Sequence, residues 1–195
     1  MAEWNESDRR DLRYADYRGA DLRGKEFRNT DLRHADFREA NLEGCDFINA
    51  LLDEANLFGA NLIKVNLSEA SLIKADLSFT NLFDANLGGA TLSGAKLNFA
   101  LFIKANLSKV DLSGMDLRGA HLSGANLSDA KLSGANFRRV LVDDSNLDQA
   151  LTMSSSWVDA RFEEDSELLE RMKEKYPKDW KAKCSIKFDV VETQE

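Results

Sequence analysis

Cysteine and histidine are scarce in this sequence. Its 195 residues include two cysteines, Cys45 and Cys184, and two histidines, His34 and His121. The cysteines lie far apart and imply neither a disulfide framework nor a zinc site. Neither histidine has a cysteine or carboxylate cluster at ligand spacing beside it. No cofactor and no metal ion is therefore expected.

Long apolar runs are missing as well. No stretch approaches the roughly 18 consecutive apolar residues that would cross a bilayer. The N-terminal sequence MAEWNESDRRDLR also lacks the charged, apolar and small-residue order of a secretory signal peptide. We therefore expect a soluble, cytoplasmic protein that does not insert into a membrane.

Sequence motifs of enzyme active sites are lacking too. There is no GxSxG nucleophile motif, no phosphate-binding loop and no HExxH zinc motif. The many serines occupy repeated surface positions, and a filled repeat interior leaves no room for a substrate pocket. We predict that the protein is not an enzyme and has no catalytic residues.

What the sequence does contain is an uninterrupted repeat of five residues. From Leu12 to Phe162 every fifth position is a repeat centre, and of the 31 centres 21 are leucine and 6 are phenylalanine. Two residues before the centre, 20 of 30 positions hold alanine, and Lys25 is the one plain misfit. The residue just before the centre is usually Asp or Asn. The consensus is therefore A-[DN]-L-x-x.

A period of five residues fits neither a helix nor a flat strand. On an α-helix, successive centres would lie about 140° apart and would spread round the whole surface. On a strand, alternate centres would point to opposite faces of the sheet. Both problems disappear if the chain turns a corner in every repeat, a task to which Asn, Asp, Ser and Gly are suited. Such a chain winds into a coil whose backbone groups pair with the coils above and below, which is a β-helix.

Segments such as GADLRG, EANLEG, GANLIK, KADLSF and GANLSD resemble the pentapeptide-repeat proteins, over about residues 11–162. The resemblance implies an all-β fold, a right-handed quadrilateral β-helix (a solenoid) with four pentapeptides per coil. Residues twenty apart would then be vertical neighbours. We accordingly divide the chain into an N-terminal cap (1–10), the β-helix (11–162) and a C-terminal helix and tail (163–195).

That register predicts two polar features of the surface. A column of asparagines would stack as a ladder of amides, comprising Asn66, Asn86, Asn106, Asn126 and Asn146. We interpret this ladder as a stabiliser of the coil rather than as a binding strip. Arginines after the first six centres, from Arg13 to Arg38, alternate with acidic residues before them, from Asp11 to Asp36. This alternation predicts a lattice of exposed ion pairs rather than an anion site.

Large apolar residues at outward positions predict a contact surface, which we name the apolar patch. Its six residues fall along one edge of the middle coils and are Phe58, Ile63, Phe79, Phe83, Phe99 and Ile103. A contiguous exposed apolar surface usually marks an interface. We predict that the patch binds an unidentified protein partner, either a foreign protein or a second copy of this chain. The other interpretation is that these side chains only pack over neighbouring backbone at the corners.

The repeat decays towards the C-terminus, where the chain can cover the open end of the coil. Trp157 is expected to plug the last coil, and EEDSELLERMKEKYP predicts a capped amphipathic helix limited by Pro177. The apolar face of this helix comprises Leu168, Leu169, Met172 and Tyr176. The alternating sequence SIKFDVV predicts a short strand after it. The tail is either an intramolecular cap or a dimerisation element that would form a homodimer.

Two functions remain open for a coil of this kind. The first is a structural or interaction module, a rigid non-catalytic rod that scaffolds or binds a protein partner through one lateral face. The second comes from the resemblance, since quinolone-resistance members of the family protect DNA gyrase and are similar to acidic B-DNA in size, shape and charge. We predict the first function and keep modulation of a type II topoisomerase as the alternative.

Charge and repeat continuity favour the first function. The whole chain has a net charge of −8, but residues 51–140 carry 9 basic and 8 acidic side chains. The middle of the rod is therefore near neutral and does not approach the charge density of a duplex. The repeat also lacks the interrupting loops with which gyrase-protecting members engage the enzyme. No direct nucleic-acid binding is expected.

Overall fold

The computed structural model of this chain describes residues 9–141, residue 174 and the backbone of 161–162 and 187–188. Within residues 9–141, the residue before a repeat centre forms a parallel bridge to the residue twenty positions later at all but two positions, as Asn66 does to Asn86 and Asn86 to Asn106. Each coil therefore spans twenty residues, or four repeats. The coils stack in parallel, and the fold is a β-helix, as the repeat period predicted.

In the described parts of the chain, regular strands are two residues long. β1 (Arg10–Asp11) pairs in parallel with β2 (Thr30–Asp31), and β3 (Arg161–Phe162) pairs in parallel with β4 (Lys187–Phe188). β4 falls within the strand predicted at SIKFDVV. No helix of the described residues is long and apolar enough to cross a membrane.

Several predicted end contacts lie outside the described residues. They are those of Trp157, Leu168, Leu169, Met172 and Tyr176. Residues 1–8 of the predicted N-terminal cap lie outside them as well. The predictions at both ends therefore remain predictions.

Each corner of the coil is a turn that the consensus sequence builds locally. The amide of Ala35 donates to the carbonyl of the centre Leu32 at 3.0 Å, and the same bond recurs in each repeat. The Asp or Asn before a centre accepts from the amide two residues later, as Asn86 Oδ1 does from Gly88 N at 3.1 Å. This side-chain bond closes the turn and explains why Asp and Asn dominate that position.

The interior is a continuous column of large and small apolar side chains. Leucine and phenylalanine centres from Leu32 to Phe137 are buried, and so are the small residues two positions before them. Cys45 takes one of these small positions and donates its thiol to Leu22 O at 2.9 Å, and burial raises the pKa of this thiol. Lys25, the misfit, is exposed in the first coil.

Candidate interaction surface

Three phenylalanine rings of the apolar patch form a ladder on the outside of the middle coils. The ring centroids of Phe58 and Phe79 lie 5.4 Å apart, and those of Phe79 and Phe99 lie 5.0 Å apart with the rings almost parallel at 14°. These residues are 40%, 53% and 45% exposed. Rings that pack mainly on one another keep much of their area in water. The fold therefore presents this apolar surface instead of burying it.

Phe79 and Phe99 occupy the last position of their turns, where the backbone is left-handed. Both have φ of 59°, a conformation that ten glycines and 14 other non-glycine residues of the described turns also adopt. An aromatic residue is unfavourable there by roughly 1 kcal/mol. Hydrogen bonds to the next coil hold the conformation, from Phe79 N to Asn98 O at 3.2 Å and from Phe99 N to Arg118 O at 3.0 Å.

The other three patch residues form a second column on the following side of the coil. Ile63, Phe83 and Ile103 are half-buried, so they are less exposed than the ring ladder. The amides of Ile63 and Phe83 donate to the asparagine side chains two residues before them, both at 3.2 Å. Leu101, which lies in the chain between Phe99 and Ile103, is exposed and enlarges the apolar area. The sequence could have indicated this exposed residue, because Leu101 stands just before a centre, where the repeat usually has Asp or Asn.

Charged side chains border the second column. Lys64, Asp84 and Lys104 follow it in the turn positions, and all three are exposed. The Lys104 ammonium lies 5.6 Å from the centroid of the Phe83 ring, within range of a cation–π contact. Two cations and one anion therefore flank the apolar surface on this side.

The first two coils carry the predicted lattice of ion pairs. Arg13 contacts Asp11 at 2.8 Å and Arg18 contacts Asp16 at 2.7 Å. Hydrogen bonds from these guanidinium groups lower the pKa of both carboxyl groups to about 2. Arg28 differs, because it contacts Asp46 of the next coil at 2.6 Å. These arginines are committed to carboxylates and do not form an anion site.

The predicted asparagine ladder is present from Asn66 to Asn126. Each amide nitrogen donates to the side-chain oxygen one coil earlier, from Asn86 to Asn66 at 3.3 Å, from Asn106 to Asn86 at 2.9 Å and from Asn126 to Asn106 at 3.2 Å. Asn146 lies outside the described residues. The amides are used within the fold, as expected of a stabilising ladder.

The two histidines have structural partners. The His34 ring stacks on Tyr14 with 4.8 Å between centroids, and His34 Nδ1 lies 3.4 Å from a Glu54 oxygen. His121 Nε2 lies 2.7 Å from Ser123 Oγ. Among the residues that the structure describes, no group of three or more His, Cys, Asp or Glu side chains is arranged to hold a metal ion.

Comparison with known families and structures identifies the repeat. The family model described as pentapeptide repeats matches in eight copies, over residues 11–49, 50–89, 85–124 and 105–149. No curated protein matches the chain.

Similar solved structures include two described as pentapeptide repeat proteins. A pentapeptide repeat protein from the thylakoid lumen of Arabidopsis thaliana is 25% identical, with 78% of this chain and 83% of that chain covered and a TM-score of 0.42. HetL of the cyanobacterium Nostoc, a pentapeptide repeat protein involved in heterocyst differentiation regulation, is 28% identical over 80% of this chain and 77% of its own, with a TM-score of 0.35. Trypsin-treated QnrB1, a plasmid-mediated fluoroquinolone resistance protein, is 17% identical over 93% and 90%, with a TM-score of 0.44.

Proposed function

Because this chain belongs to the pentapeptide repeat family, we propose that it is a non-catalytic, rod-like module that binds a protein partner through the apolar patch. The observation that carries this proposal is the exposed ring ladder of Phe58, Phe79 and Phe99. Two of these rings stand on left-handed backbone, at a turn position that elsewhere in the described coils holds glycine or, apart from Tyr14, a polar or charged residue. Exposed aromatic rings at unfavourable positions are explained best by a contact that buries them.

The surroundings of the patch point to the chemistry of the partner. Lys64 and Lys104 border the half-buried column, and Lys104 lies over the Phe83 ring. A protein surface with apolar side chains at its centre and carboxylates at its edge complements this arrangement. The contact residues that we propose are Phe58, Ile63, Phe79, Phe83, Phe99 and Ile103.

We also propose the finer architecture that the family resemblance implies. The coil is right-handed and quadrilateral, residues 1–10 and 163–195 flank it, and residues 11–162 form it. The bridges between residues twenty apart support the four sides. The tail acts as an end cap, which the parallel pairing of Arg161–Phe162 with Lys187–Phe188 supports. A tail that joins two copies is the alternative.

Modulation of a type II topoisomerase takes second place for an electrostatic reason. A protein that imitates duplex DNA needs acidic groups along its whole length. Residues 51–140 carry 9 basic and 8 acidic side chains, so the sides that hold the patch are near neutral.

Paired substitutions test the patch. We expect Phe79→Ser with Phe99→Ser to keep the circular dichroism of the β-helix and to lose a protein that the wild type retains in affinity capture. Ile73→Ser is the matched control, because Ile73 is also an exposed apolar residue but lies on a different side of the coil. The control should retain that protein.

Three outcomes count against this proposal or change it. If both variants retain the same proteins as the wild type, the patch is not the binding surface. If the double variant unfolds, its two residues serve packing. If light scattering shows a wild-type dimer and a monomeric double variant, the partner is a second copy. Light scattering on a chain ending at Phe162 then separates a capping tail, whose loss causes aggregation, from a dimerising tail, whose loss leaves a monomer.

A further inference from the structure

One step between successive coils lacks ladder hydrogen bonds on two of its four sides. Elsewhere in residues 9–141, the amide of each centre donates to the carbonyl nineteen positions later, as Leu72 does to Thr91 O at 2.8 Å. Within this described range the centres Leu92 and Leu97 are the exceptions. We name this step the seam, where residues 90–97 face residues 110–116.

Other backbone pairs are lost at the same place. In the described coils, the bridge series omits the pairs that would join Thr91 to Asp111 and Lys96 to Asp116. On the two remaining sides of the same step the bridges are present, from Leu101 to His121 and from Asn106 to Asn126. The seam is therefore open along the side of Leu92, partly open along the side of Leu97, where Phe99 N still donates to Arg118 O at 3.0 Å, and closed along the other two.

The slight exposure of two core residues and the positions of the ion pairs are both consistent with a gap between the coils at the seam. Ala95 is 6% and Met115 is 5% exposed, the highest values in the core between Leu32 and Phe137. The side-chain ion pairs of this region join groups on one side of the seam. Lys96 contacts Asp76 at 2.9 Å on the earlier side, and Lys131 contacts Asp111 at 3.3 Å on the later side.

The sequence offers a cause at Met115. In the described coils, the other members of its inward column are all alanine: Ala15, Ala35, Ala55, Ala75, Ala95 and Ala135. A side chain several atoms longer in a close-packed interior forces its neighbours to move. Val65 shows that a smaller excess is tolerated, because Asn66 N to Cys45 O and Asn86 N to Val65 O are both intact at 2.9 Å. Beyond Met115 the ladder is also intact, with Asn136 N to Met115 O at 2.9 Å.

We propose that the seam is a hinge in the rod and that Met115 is its wedge. The coils before and after the seam swing about the two closed sides, where the Asn106 to Asn126 amide bond adds to the backbone bridges. The swing exposes the amides of Leu92, Gly94, Leu97, Asp111 and Asp116. The most C-terminal patch residues, Phe99 and Ile103, lie next to the seam, so the hinge sets the angle between the patch and the C-terminal coils. This inference does not depend on the proposed partner.

Amide hydrogen exchange on the full chain tests the hinge. In the wild type we expect the amides of Leu92, Gly94 and Leu97 to exchange at least about tenfold faster than those of Leu72, Lys74 and Leu77 one coil earlier. In Met115→Ala the two sets should exchange at similar rates. Met115→Leu keeps the bulk and should leave the seam fast.

Each other outcome overturns part of the proposal. Equal exchange of the two sets in the wild type excludes the hinge. Fast exchange at the seam in Met115→Ala excludes Met115 as the wedge. Should that variant fail to fold, Met115→Val repeats the measurement with the side chain that the fold accepts at Val65, and unchanged fast exchange there has the same meaning.

Discussion

The ring of Phe99 lies over the backbone of Gly119, which occupies the equivalent turn position one coil later. A β-carbon added at Gly119 would be 2.5 Å from Cδ1 and Cε1 of this ring. Gly119 also has φ of 68°. The glycine is therefore required both by the left-handed turn and by the ring above it, and the exposed ring ladder depends on a residue outside the patch.

Alanine substitutions separate these two requirements. Gly114→Ala is the control, because Gly114 has φ of 69° and an added β-carbon would have nothing within 4 Å. We expect it to lower the free energy of unfolding by about 1 kcal/mol, the cost of a left-handed alanine. Gly119→Ala should cost about 1–3 kcal/mol more, because the ring must move. Urea unfolding measures both values.

Removal of the ring provides the internal check on this comparison. With Phe99→Ala as background, the additional cost of Gly119→Ala should disappear. If it persists, the glycine is required by the backbone alone.

The Asp16 carboxyl group should titrate far below its usual range. Hydrogen bonds from Arg18 lower its pKa to about 2, whereas the pKa of an aspartate in an unfolded chain is about 3.9. Since the folded pKa is the lower one, this pair stabilises the fold fully above about pH 4, and the contribution is lost as the pH falls towards 2. Carboxyl carbon shifts in NMR spectra measure the midpoint.

Arg18→Gln is the matching variant. The titration midpoint of Asp16 should rise towards about 3.9. The midpoint of Asp11 should remain at about 2, because Arg13 lowers the pKa of that carboxyl group. A midpoint near 2 for Asp16 in this variant would contradict the assigned cause.

The asparagine ladder should not accept a carboxylate. Asn106 donates to Asn86 Oδ1 at 2.9 Å, and aspartate would place two oxygens against each other there. We expect Asn106→Asp to lower the free energy of unfolding by about 1–3 kcal/mol. Asn81→Asp is the control, because the Asn81 side chain accepts from Phe83 N at 3.2 Å and aspartate keeps that role. Equal losses in urea unfolding would show that the ladder bond contributes nothing.

A charge in the interior should disrupt the stack of coils. Leu87 is fully buried, so in Leu87→Asp a carboxylate loses its hydration without gaining a partner. We expect loss of cooperative unfolding and of the β-helix circular dichroism. Ser93→Asp, at an exposed turn position, is the control and should unfold like the wild type. A folded Leu87→Asp protein would mean that the interior is not dry.

The sequence determines the interior of this fold more directly than its surface. Leu87 and its equivalents repeat every five residues, so the period alone places them inside. By contrast, the five-residue period does not show that Asn86 stacks on Asn66. That prediction also requires twenty residues per coil, which the family resemblance implied and the bridges confirm. Once the number of residues per coil is known, the sequence shows which asparagines stack on one another.

Features that depend on side-chain reach were not predictable in the same way. Arg28 follows Glu26 in the sequence as the other arginines follow aspartates, but the structure pairs it with Asp46 of the next coil. A glutamate carboxylate lies one methylene further from the backbone than the aspartates beside the other arginines. In the repeat pattern, Met115 is simply an apolar residue at the position two before a centre. The loss of backbone hydrogen bonds that we attribute to Met115 depends on how side chains pack between coils. A repeat pattern does not contain that information.

Because each coil has twenty residues, the sequence number of a residue determines the side of the rod on which it lies. Removal of a whole coil would leave every remaining residue on its own side, whereas removal of a single repeat would turn all later residues by one side. Without residues 86–90, for example, Lys104 rather than Phe99 would follow Phe79 in its column. The interior would be altered less than the surface by either change, because nearly every repeat supplies one large and one small apolar side chain to it. The length of such a rod is therefore free to change in units of one repeat, but its surface pattern is preserved only in units of four.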